Sequence, residues 1–300
     1  SVQSNTICLA WQKAFGIEPA TMGIILTALT LLIIFGGIQR VAKFSSMVVP
    51  VMAVVYLLIA VGVVIWNITS LPKVLLTIVE NAFGFNQAAG GVLGVTVIQG
   101  IKRGLFSNEA GEGSAPNAAA VATVSHPAKQ GLIQALGVFT DTLVVCSCTA
   151  FIILMSEVDV TASNGIQLTQ DALTHEIGSI GNPFVAVMIW LFAFSSIIGN
   201  YYYGETNVRY IKDSRLGVFI YRLAVAAMVM IGAIVSLDFA WSFADITMAL
   251  LTLCNLAAIV LLSRQAVFLL QDYRQQKKEG KNPVFKKEKM PEIADKLEAW

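Results

Sequence analysis

Six long apolar runs divide the chain, and each has about the length of a membrane-spanning helix. They cover roughly residues 21–38, 47–66, 131–155, 183–203, 216–237 and 241–262. An α-helix needs about 20 apolar residues to cross the hydrocarbon core of a bilayer, so each run predicts one spanning helix. Residues 1–11 look like the end of a further helix. The pattern therefore predicts an all-α polytopic membrane protein.

A further apolar segment, which begins near residue 91, is interrupted by charge, glycine and proline. The interruption reads KRGLFSNEAGEGSAPNAAAVATVSH over residues 102–126. Ser114 and Pro116 are typical of a helix start, so we expect a second short helix over 115–124. Broken backbone at membrane depth is tolerated only where it is buried in protein or lines a polar cavity. Because transporters bind solutes at such breaks, this segment is the first candidate for a binding site.

The arrangement of the helices suggests repeats. Two blocks of five helices, each opening on a broken helix and related by inverted topology, form one large transporter fold. Residues 1–90 would then be the end of a first repeat, with a partial helix and two spanning helices, and residues 91–262 a complete second repeat. Because the first residues are typical of a helix already under way, we expect a C-terminal fragment whose first repeat is truncated.

Composition and charge agree with this class of protein. The chain is 56% hydrophobic and 13% charged, whereas a soluble domain carries about 25% charged residues. Basic and non-basic loops alternate, which by the positive-inside rule places the polar tail, residues 263–300, in the cytoplasm. The four cysteines lie in apolar helical sequence and are expected to be reduced packing residues, and His126 and His175 are expected in solvated loops.

The break offers chemistry for a small zwitterion. The start of the second half-helix, near Ser114, would present the positive end of a helix dipole to a carboxylate. Freed backbone carbonyls would suit a cation, and Gly111 and Gly113 would let the backbone approach a small ligand closely. An amino acid and a monovalent cation are the natural guests, and a small site favours glycine or alanine.

The charged residues around the break leave several interpretations open. Glu109 or Glu112 lies in the solute or cation pathway, or both form a structural ion-pair network with Lys102 and Arg103. Asp141, inside an apolar helix, is a cation ligand or a proton-relay group, or it is the partner of Arg103. A third interpretation places the whole stretch in a cytoplasmic loop after a short helix. From the residues alone, the adjacent hydroxyls Ser195 and Ser196 fit helix packing or a small hard cation.

Two long blocks of sequence resemble the alanine or glycine:cation symporter family. They are FSNEAGEGSAPNAAA at residues 106–120 and HPAKQGLIQALGVFTDTLVVCSCTAFIIL at residues 126–154. GIQRVAK at 37–43, FGFNQAAGG at 83–91 and FAFSSIIGNYYYGE at 192–205 extend the resemblance over nearly the whole chain. It implies a LeuT-type inverted-repeat fold, sodium as the coupling ion, and alanine or glycine as substrates. A bacterial inner (plasma) membrane location follows from the same resemblance.

The resemblance also implies site residues. On the substrate side it implies one residue of the third core helix and five of the broken helix: Gln3, Phe106, Ser107, Asn108, Glu109 and Gly111. Sodium would bind the Phe192 carbonyl with Ser195 and Ser196, which favours the cation interpretation of the two hydroxyls. Asp141 would contribute to a second cation site.

The function that follows is sodium-coupled symport of alanine or glycine by alternating access. The partners expected are the amino acid, Na⁺ and membrane lipid, with no nucleic acid, no organic cofactor and a monomeric protein. An enzyme is not expected, because the sequence carries no HExxH or GxSxG motif. Two alternatives stay open: a proton-coupled transporter of the same fold that uses Glu109, Glu112 or Asp141, and an amino-acid sensor or channel that does not cycle.

Overall fold

The computed structural model of the chain is built of α-helices joined by short turns. It describes residues 1–36, 38–83, 90–294 and 297, and the backbone alone at 38–46, 48–49 and 90–96; within these ranges there is no β-strand. The helices are α1 (Val2–Phe15), α2 (Pro19–Ile34), α3 (Ile38–Trp66), α4 (Leu71–Phe83), α5 (Gly90–Asn108), α6 (Ala115–Ala119), α7 (Pro127–Phe139), α8 (Cys146–Met155), α9 (Ile166–Ile177), α10 (Gly181–Ile211), α11 (Arg215–Ile234) and α12 (Leu237–Lys278). A π-helical turn, Thr140–Val145, joins α7 to α8.

Several helical segments can cross a membrane. By length and composition, four segments of the described chain qualify: Pro127–Met155, Ile166–Ile211, Arg215–Ile234 and Leu237–Lys278. The pair Pro50–Trp66 and Ile68–Phe83, bent by 75°, would be a fifth span. All six predicted runs form helices, although α2 has only 16 residues. The predicted class, a multi-pass helical membrane protein, is confirmed; the FGFNQAAGG segment lies largely outside the described residues.

The chain groups into two compact units. The first contains residues 1–103 and 143–247, and the second contains residues 104–142 and 248–300. These units follow packing and do not coincide with the repeat boundary expected near residue 91, so the five-helix repeats stay a prediction. Of the four cysteines expected to be packing residues, Cys8 and Cys148 are buried, whereas Cys254 is exposed.

In the first unit, α1 packs most extensively against α10, and α2 packs most extensively against α11. Their shared core includes Ile7, Leu26 and Phe194, each at most 1% exposed. A Cβ atom on Gly23 would lie 2.6 Å from the Ala233 Cβ. Helices approach closely in membranes through small residues of this kind. A smaller core joins α3, α8 and α9.

A charged network ties α10 to α11 in the first unit. The Glu205 carboxylate, in a residue only 8% exposed, accepts hydrogen bonds from Arg209 at 2.7 Å and from Arg222 at 3.2 Å. Arg222 also donates from Nε to the Tyr201 hydroxyl at 3.0 Å. Charges at such depth persist when they are paired and hydrogen-bonded, and Glu205 has both kinds of partner.

In the second unit, the polar tail folds back on the chain. Helix α12 continues to Lys278, and Phe285, seven residues later, is 5% exposed. The tail is therefore more than the solvated extension that its composition suggests. The expectation that His126 is solvated is also wrong, because this side chain is completely buried against the tail. His175 lies on α9 and not in a loop.

Candidate solute and cation sites

A break in the helix is present where the sequence predicts it, and three left-handed residues create it; the place of this segment in the membrane stays a prediction. Helix α5 ends where the Glu109 N–H donates to the Leu105 carbonyl at 2.8 Å. Glu109, Gly111 and Gly113 then have φ values of 53°, 83° and 102°. Glycine adopts this region at little cost, whereas Glu109 is a non-glycine residue held in it. The alternation of left-handed residues turns the chain away from the axis of α5.

Amide side chains satisfy much of the backbone that the break exposes. Asn108 accepts the Ala110 N–H at 2.9 Å, Asn117 donates to the Gly113 carbonyl at 3.0 Å, and Asn255 of α12 donates to the Gly111 carbonyl at 2.9 Å. Two of the carbonyls expected to be free for a cation, those of Gly111 and Gly113, therefore have protein donors. Buried backbone groups need such partners, so the asparagines keep the break open without a ligand.

The second half-helix is shorter than the sequence suggests. Helix α6 covers five residues, Ala115–Ala119, and ends before the expected limit at residue 124. Ser114 occupies the N-cap position, but its hydroxyl donates to the Glu109 carboxylate and does not cap the helix. A single turn has little macrodipole, so the expected carboxylate site at this helix start is not carried further.

The end of α5 is tied to the π-helical turn. The Ser107 hydroxyl donates to the Asp141 carboxylate at 2.6 Å, and the Asn108 amide donates to the Thr142 hydroxyl at 2.9 Å. Single π turns inside α-helices are frequent at functional sites. Three of the residues that the resemblance implies, Ser107, Asn108 and Asp141, thus form one polar cluster. Thr142 was not among the predicted site residues.

Lys102 and Arg103 have a partner in the first unit that the sequence analysis did not predict. They pair with Asp245 on α12, at 3.1 Å and 3.4 Å, and Arg103 also lies 4.2 Å over the Trp241 ring. Pairing of these two cations with Glu109 and Glu112, and of Arg103 with Asp141, stays a prediction, because the three acidic residues belong to the second unit. Glu109 accepts a hydrogen bond from the Ser114 hydroxyl.

The other carboxylate of the break is buried. Glu112 is 6% exposed, and it sits between the left-handed Gly111 and Gly113. A carboxylate removed from water is costly to ionise unless it is paired. Phe106 and Gly111 are half-buried in the same segment. The break therefore carries two carboxylates in different surroundings, one bound by a hydroxyl and one enclosed.

A second set of oxygen atoms lies on α10 in the first unit. The Phe192 carbonyl accepts from the Ser195 hydroxyl at 2.8 Å and from the Ser196 hydroxyl at 3.2 Å. The three predicted sodium ligands are thus adjacent on one helix. The Phe192 ring packs edge-on against Tyr56 of α3 at 5.9 Å, and Tyr56 shares a 2.7 Å hydrogen bond with Thr149 of α8. The sequence analysis missed these last two hydroxyls.

Two further expectations concern Gln3 and metal sites. Gln3 is half-buried on α1 in the first unit, and its part in substrate binding stays a prediction. No group of three histidine, cysteine or acidic side chains that could hold a metal occurs among the residues the structure describes. A sodium ion does not need such a group, because hydroxyl and carbonyl oxygens suffice.

Known proteins place this chain in one family. The profile of the sodium:alanine symporter family matches residues 1–287. The probable sodium/glutamine symporter GlnT of Bacillus subtilis is 53% identical over 96% of this chain and 60% of its own length. The amino-acid carrier protein AlsT of the same organism is 52% identical over 100% of this chain and 64% of its own length. The sodium/alanine symporter AgcS of Methanococcus maripaludis is 34% identical over 94% and 63%.

These matches cover nearly all of this chain, and the chain spans somewhat less than two thirds of the length of these relatives. The matched proteins are transporters and not enzymes, as predicted. On the family match and the identities to these relatives, the chain belongs to the sodium:alanine symporter family.

Proposed function

We propose that the protein is a sodium-coupled symporter for small neutral amino acids that works by alternating access. The observation that carries the proposal is the broken helix, whose open backbone lies beside the polar cluster of Ser107, Asn108, Asp141 and Thr142. Family membership supports coupling to sodium. The names of GlnT and AgcS, which specify glutamine and alanine, support a neutral amino acid as the substrate.

The proposed sodium ligands are the Phe192 carbonyl and the hydroxyls of Ser195 and Ser196. In the structure both hydroxyls donate to this carbonyl. A hydroxyl hydrogen rotates freely and its oxygen has two lone pairs, so both O–H groups can turn outward and present three oxygens to a small hard cation. Further ligands would come from other parts of the intact protein.

The proposed substrate site is the segment from Phe106 to Gly111, and Gln3 stays a proposed contributor on the strength of the resemblance alone. Ser107 and Asn108 already engage Asp141 and Thr142, so an amino acid with a charged ammonium group would meet acceptors with fixed positions. Asp141 is then the candidate ligand for a second cation, either the ammonium group of the amino acid or a second sodium ion. The half-buried Phe106 would limit the size of the side chain, which favours alanine or glycine over glutamine.

Sodium and amino acid would bind cooperatively. If sodium raises the affinity for the amino acid, then the amino acid raises the affinity for sodium by the same factor. The membrane potential adds about 2.3 kcal/mol per elementary charge at 100 mV. The proposal includes a monomer in the bacterial plasma membrane with its C-terminus in the cytoplasm.

The test is uptake of radiolabelled alanine, glycine and glutamine by proteoliposomes that contain the full-length protein. Accumulation driven by an imposed sodium gradient supports the proposal, and the ranking of the three amino acids identifies the substrate. In the Ser195→Ala variant, half-maximal uptake should need at least about ten times more sodium, as expected for about 1.4 kcal/mol of lost binding. Ser263→Ala is the matched control, because Ser263 also bonds to its own helix, at the Val260 carbonyl. Equal sodium dependence in the two variants would remove the site assignment.

The buried Glu112 supports a second candidate, a proton-coupled transporter. A carboxylate enclosed in the break could carry a proton through the transport cycle. This candidate predicts accumulation under a proton gradient without sodium, and loss of that accumulation in Glu112→Gln. If neither gradient drives accumulation but the amino acid still binds, a sensor or a channel is the better description.

A further inference from the structure

The tail makes a defined structure with the joint between α6 and α7. We call residues 280–289 the strap and residues 125–129 the joint. Gly280, with φ of 73°, ends α12, and the Lys281 N–H donates back to the Gln276 carbonyl at 2.9 Å. This six-to-one hydrogen bond over a left-handed glycine is a Schellman motif. It sends the strap back along the last turns of α12.

Backbone groups connect the strap directly to the joint. The Phe285 N–H donates to the Ser125 carbonyl at 2.9 Å, and the Ser125 hydroxyl donates to the Pro283 carbonyl at 2.9 Å. The Lys129 ammonium group, in the first turn of α7, donates to the Asn282 side chain at 2.8 Å. The strap therefore contacts the joint through main-chain hydrogen bonds. In a disordered tail these main-chain groups would bond to water.

His126 lies at the centre of this contact. Its Nδ1 accepts the Ala128 N–H at 3.1 Å and so caps the start of α7. Because Nδ1 is an acceptor, the neutral ring carries its proton on Nε2, which lies 3.2 Å from the Asp272 carboxylate. The ring packs edge-on against Phe285 of the strap at 5.8 Å and against Tyr273 of α12 at 5.5 Å. One side chain thus links the joint, the strap and α12.

The Asp272 carboxylate completes the network. Besides His126, it accepts from Gln276 at 2.8 Å and from Lys289 at 2.5 Å. Gln276 in turn exchanges two hydrogen bonds of 3.0 Å with the backbone of Val284. Both ends of the strap are therefore fixed to α12, with Phe285 inserted between them. Such a network breaks as a unit, because loss of one member leaves buried partners unsatisfied.

We infer that the strap is a latch that holds the α6–α7 joint against α12 and has to release when the broken helix moves. Helix α6 has only five residues and is followed closely by the joint, so a displacement of α6 is transmitted to Ser125 and His126. While the strap is bound, such a displacement breaks hydrogen bonds to Phe285 and Asp272. The latch rests on the proposed transport function, since it assigns a regulatory role to the same broken helix.

The test compares Phe285→Ala with Val284→Ala in the full-length protein. Phe285 is 5% exposed and contacts His126, whereas the neighbouring Val284 side chain is 46% exposed, and both variants keep the backbone hydrogen bonds. His126→Asn is a second variant, because asparagine can still cap α7 but cannot reach Asp272. Hydrogen exchange of the peptide that contains residues 125–129 is measured first. Uptake in proteoliposomes is measured next.

We expect exchange in this peptide to become at least tenfold faster in Phe285→Ala and His126→Asn, and to be unchanged in Val284→Ala. We also expect the sodium concentration for half-maximal uptake to rise at least threefold in Phe285→Ala and His126→Asn. The reason is that fewer molecules then hold the latched arrangement, which in this proposal is the one that binds. Equal exchange in all variants overturns the latch. Faster exchange with unchanged uptake kinetics reduces the strap to a structural support and also overturns it. If the unaltered protein shows no sodium-driven uptake, the transport proposal fails, and that result is distinct from both.

Discussion

The left-handed glycines of the break allow a graded test of the substrate site. Three glycines near it differ in two properties: the backbone conformation and the space around an added Cβ. Gly104, near the end of α5, has open space and an ordinary helical backbone. Gly111 also has open space but a φ of 83°. Gly113 has a φ of 102°, and an added Cβ would lie 3.0 Å from the Asn255 Cβ. Alanine at each position separates strain from crowding.

The expected magnitudes follow from these differences. Gly104→Ala should be neutral or stabilising by about 0.5–1 kcal/mol, because alanine is the better helix former. Gly111→Ala should cost about 1–3 kcal/mol from backbone strain alone. Gly113→Ala carries the same backbone strain and also crowds Asn255, whose amide donates to the Gly111 carbonyl. Its cost in stability should therefore exceed that of Gly111→Ala by at least about 1 kcal/mol. If the protein relieves the strain by closing the break, the same free energies lower the fraction of molecules in which the break is open and able to bind the amino acid.

The assay is equilibrium binding of labelled alanine to purified full-length protein in saturating sodium, with thermal unfolding as the check on folding. Since 1.4 kcal/mol corresponds to a factor of ten, Gly111→Ala should weaken binding by roughly 5- to 150-fold, and Gly113→Ala should weaken it further. Gly104→Ala should bind as the unaltered protein does. Equal affinities in the three variants, with all three folded, would refute the placement of the substrate at this break.

Three further predictions concern the packing around the sites. Replacing Glu205 by glutamine should lower the free energy of unfolding by about 1–3 kcal/mol, because the half-buried Arg222 loses its carboxylate partner, whereas Asp245→Asn, at a more exposed pair, should cost about 0–1 kcal/mol; similar shifts in thermal unfolding would contradict this. Gly204→Ala should lower the free energy of unfolding by about 1–3 kcal/mol, because the added Cβ would overlap the Tyr221 hydroxyl. A double-mutant cycle with Tyr221→Ala that shows no coupling would refute this explanation. Thr142→Val, which removes the partner of Asn108, should weaken amino-acid binding by about 1–3 kcal/mol. Thr140→Val is the control in the same binding assay, because the Thr140 hydroxyl donates to the Leu136 carbonyl of its own helix.

Hydropathy predicts the helices well because burial in lipid requires long apolar runs. Helices α10 and α12 contain their predicted runs and α11 contains most of its run, but the helix ends lie elsewhere, since local caps and tertiary contacts determine them. The π turn is invisible to hydropathy, because one extra residue in a turn leaves composition unchanged. The break itself is predictable from glycine and charge, whereas the length of α6 is not.

Partners distant in sequence explain most of what the sequence analysis missed. Ser107 and Asp141 were each identified, but their hydrogen bond joins residues 34 apart. The burial of His126 depends on Asp272, which lies 146 residues later. Lys102 and Arg103 have several acidic residues nearby in sequence, yet they pair with Asp245. Charge sequence alone cannot choose among such partners, because the choice depends on how helices pack.

The asparagines that hold the break open also affect how tightly a carrier holds its ligand and how readily it releases it. Asn117 and Asn255 occupy the Gly113 and Gly111 carbonyls before any guest arrives. A ligand that needs these oxygens must exchange one interaction for another, so much of its gross binding energy is cancelled. Weak net binding is useful here, because a carrier has to release its cargo on the far side as readily as it collects it. The amides would then refill the vacated positions and return the emptied segment to its starting shape, ready for the next cycle.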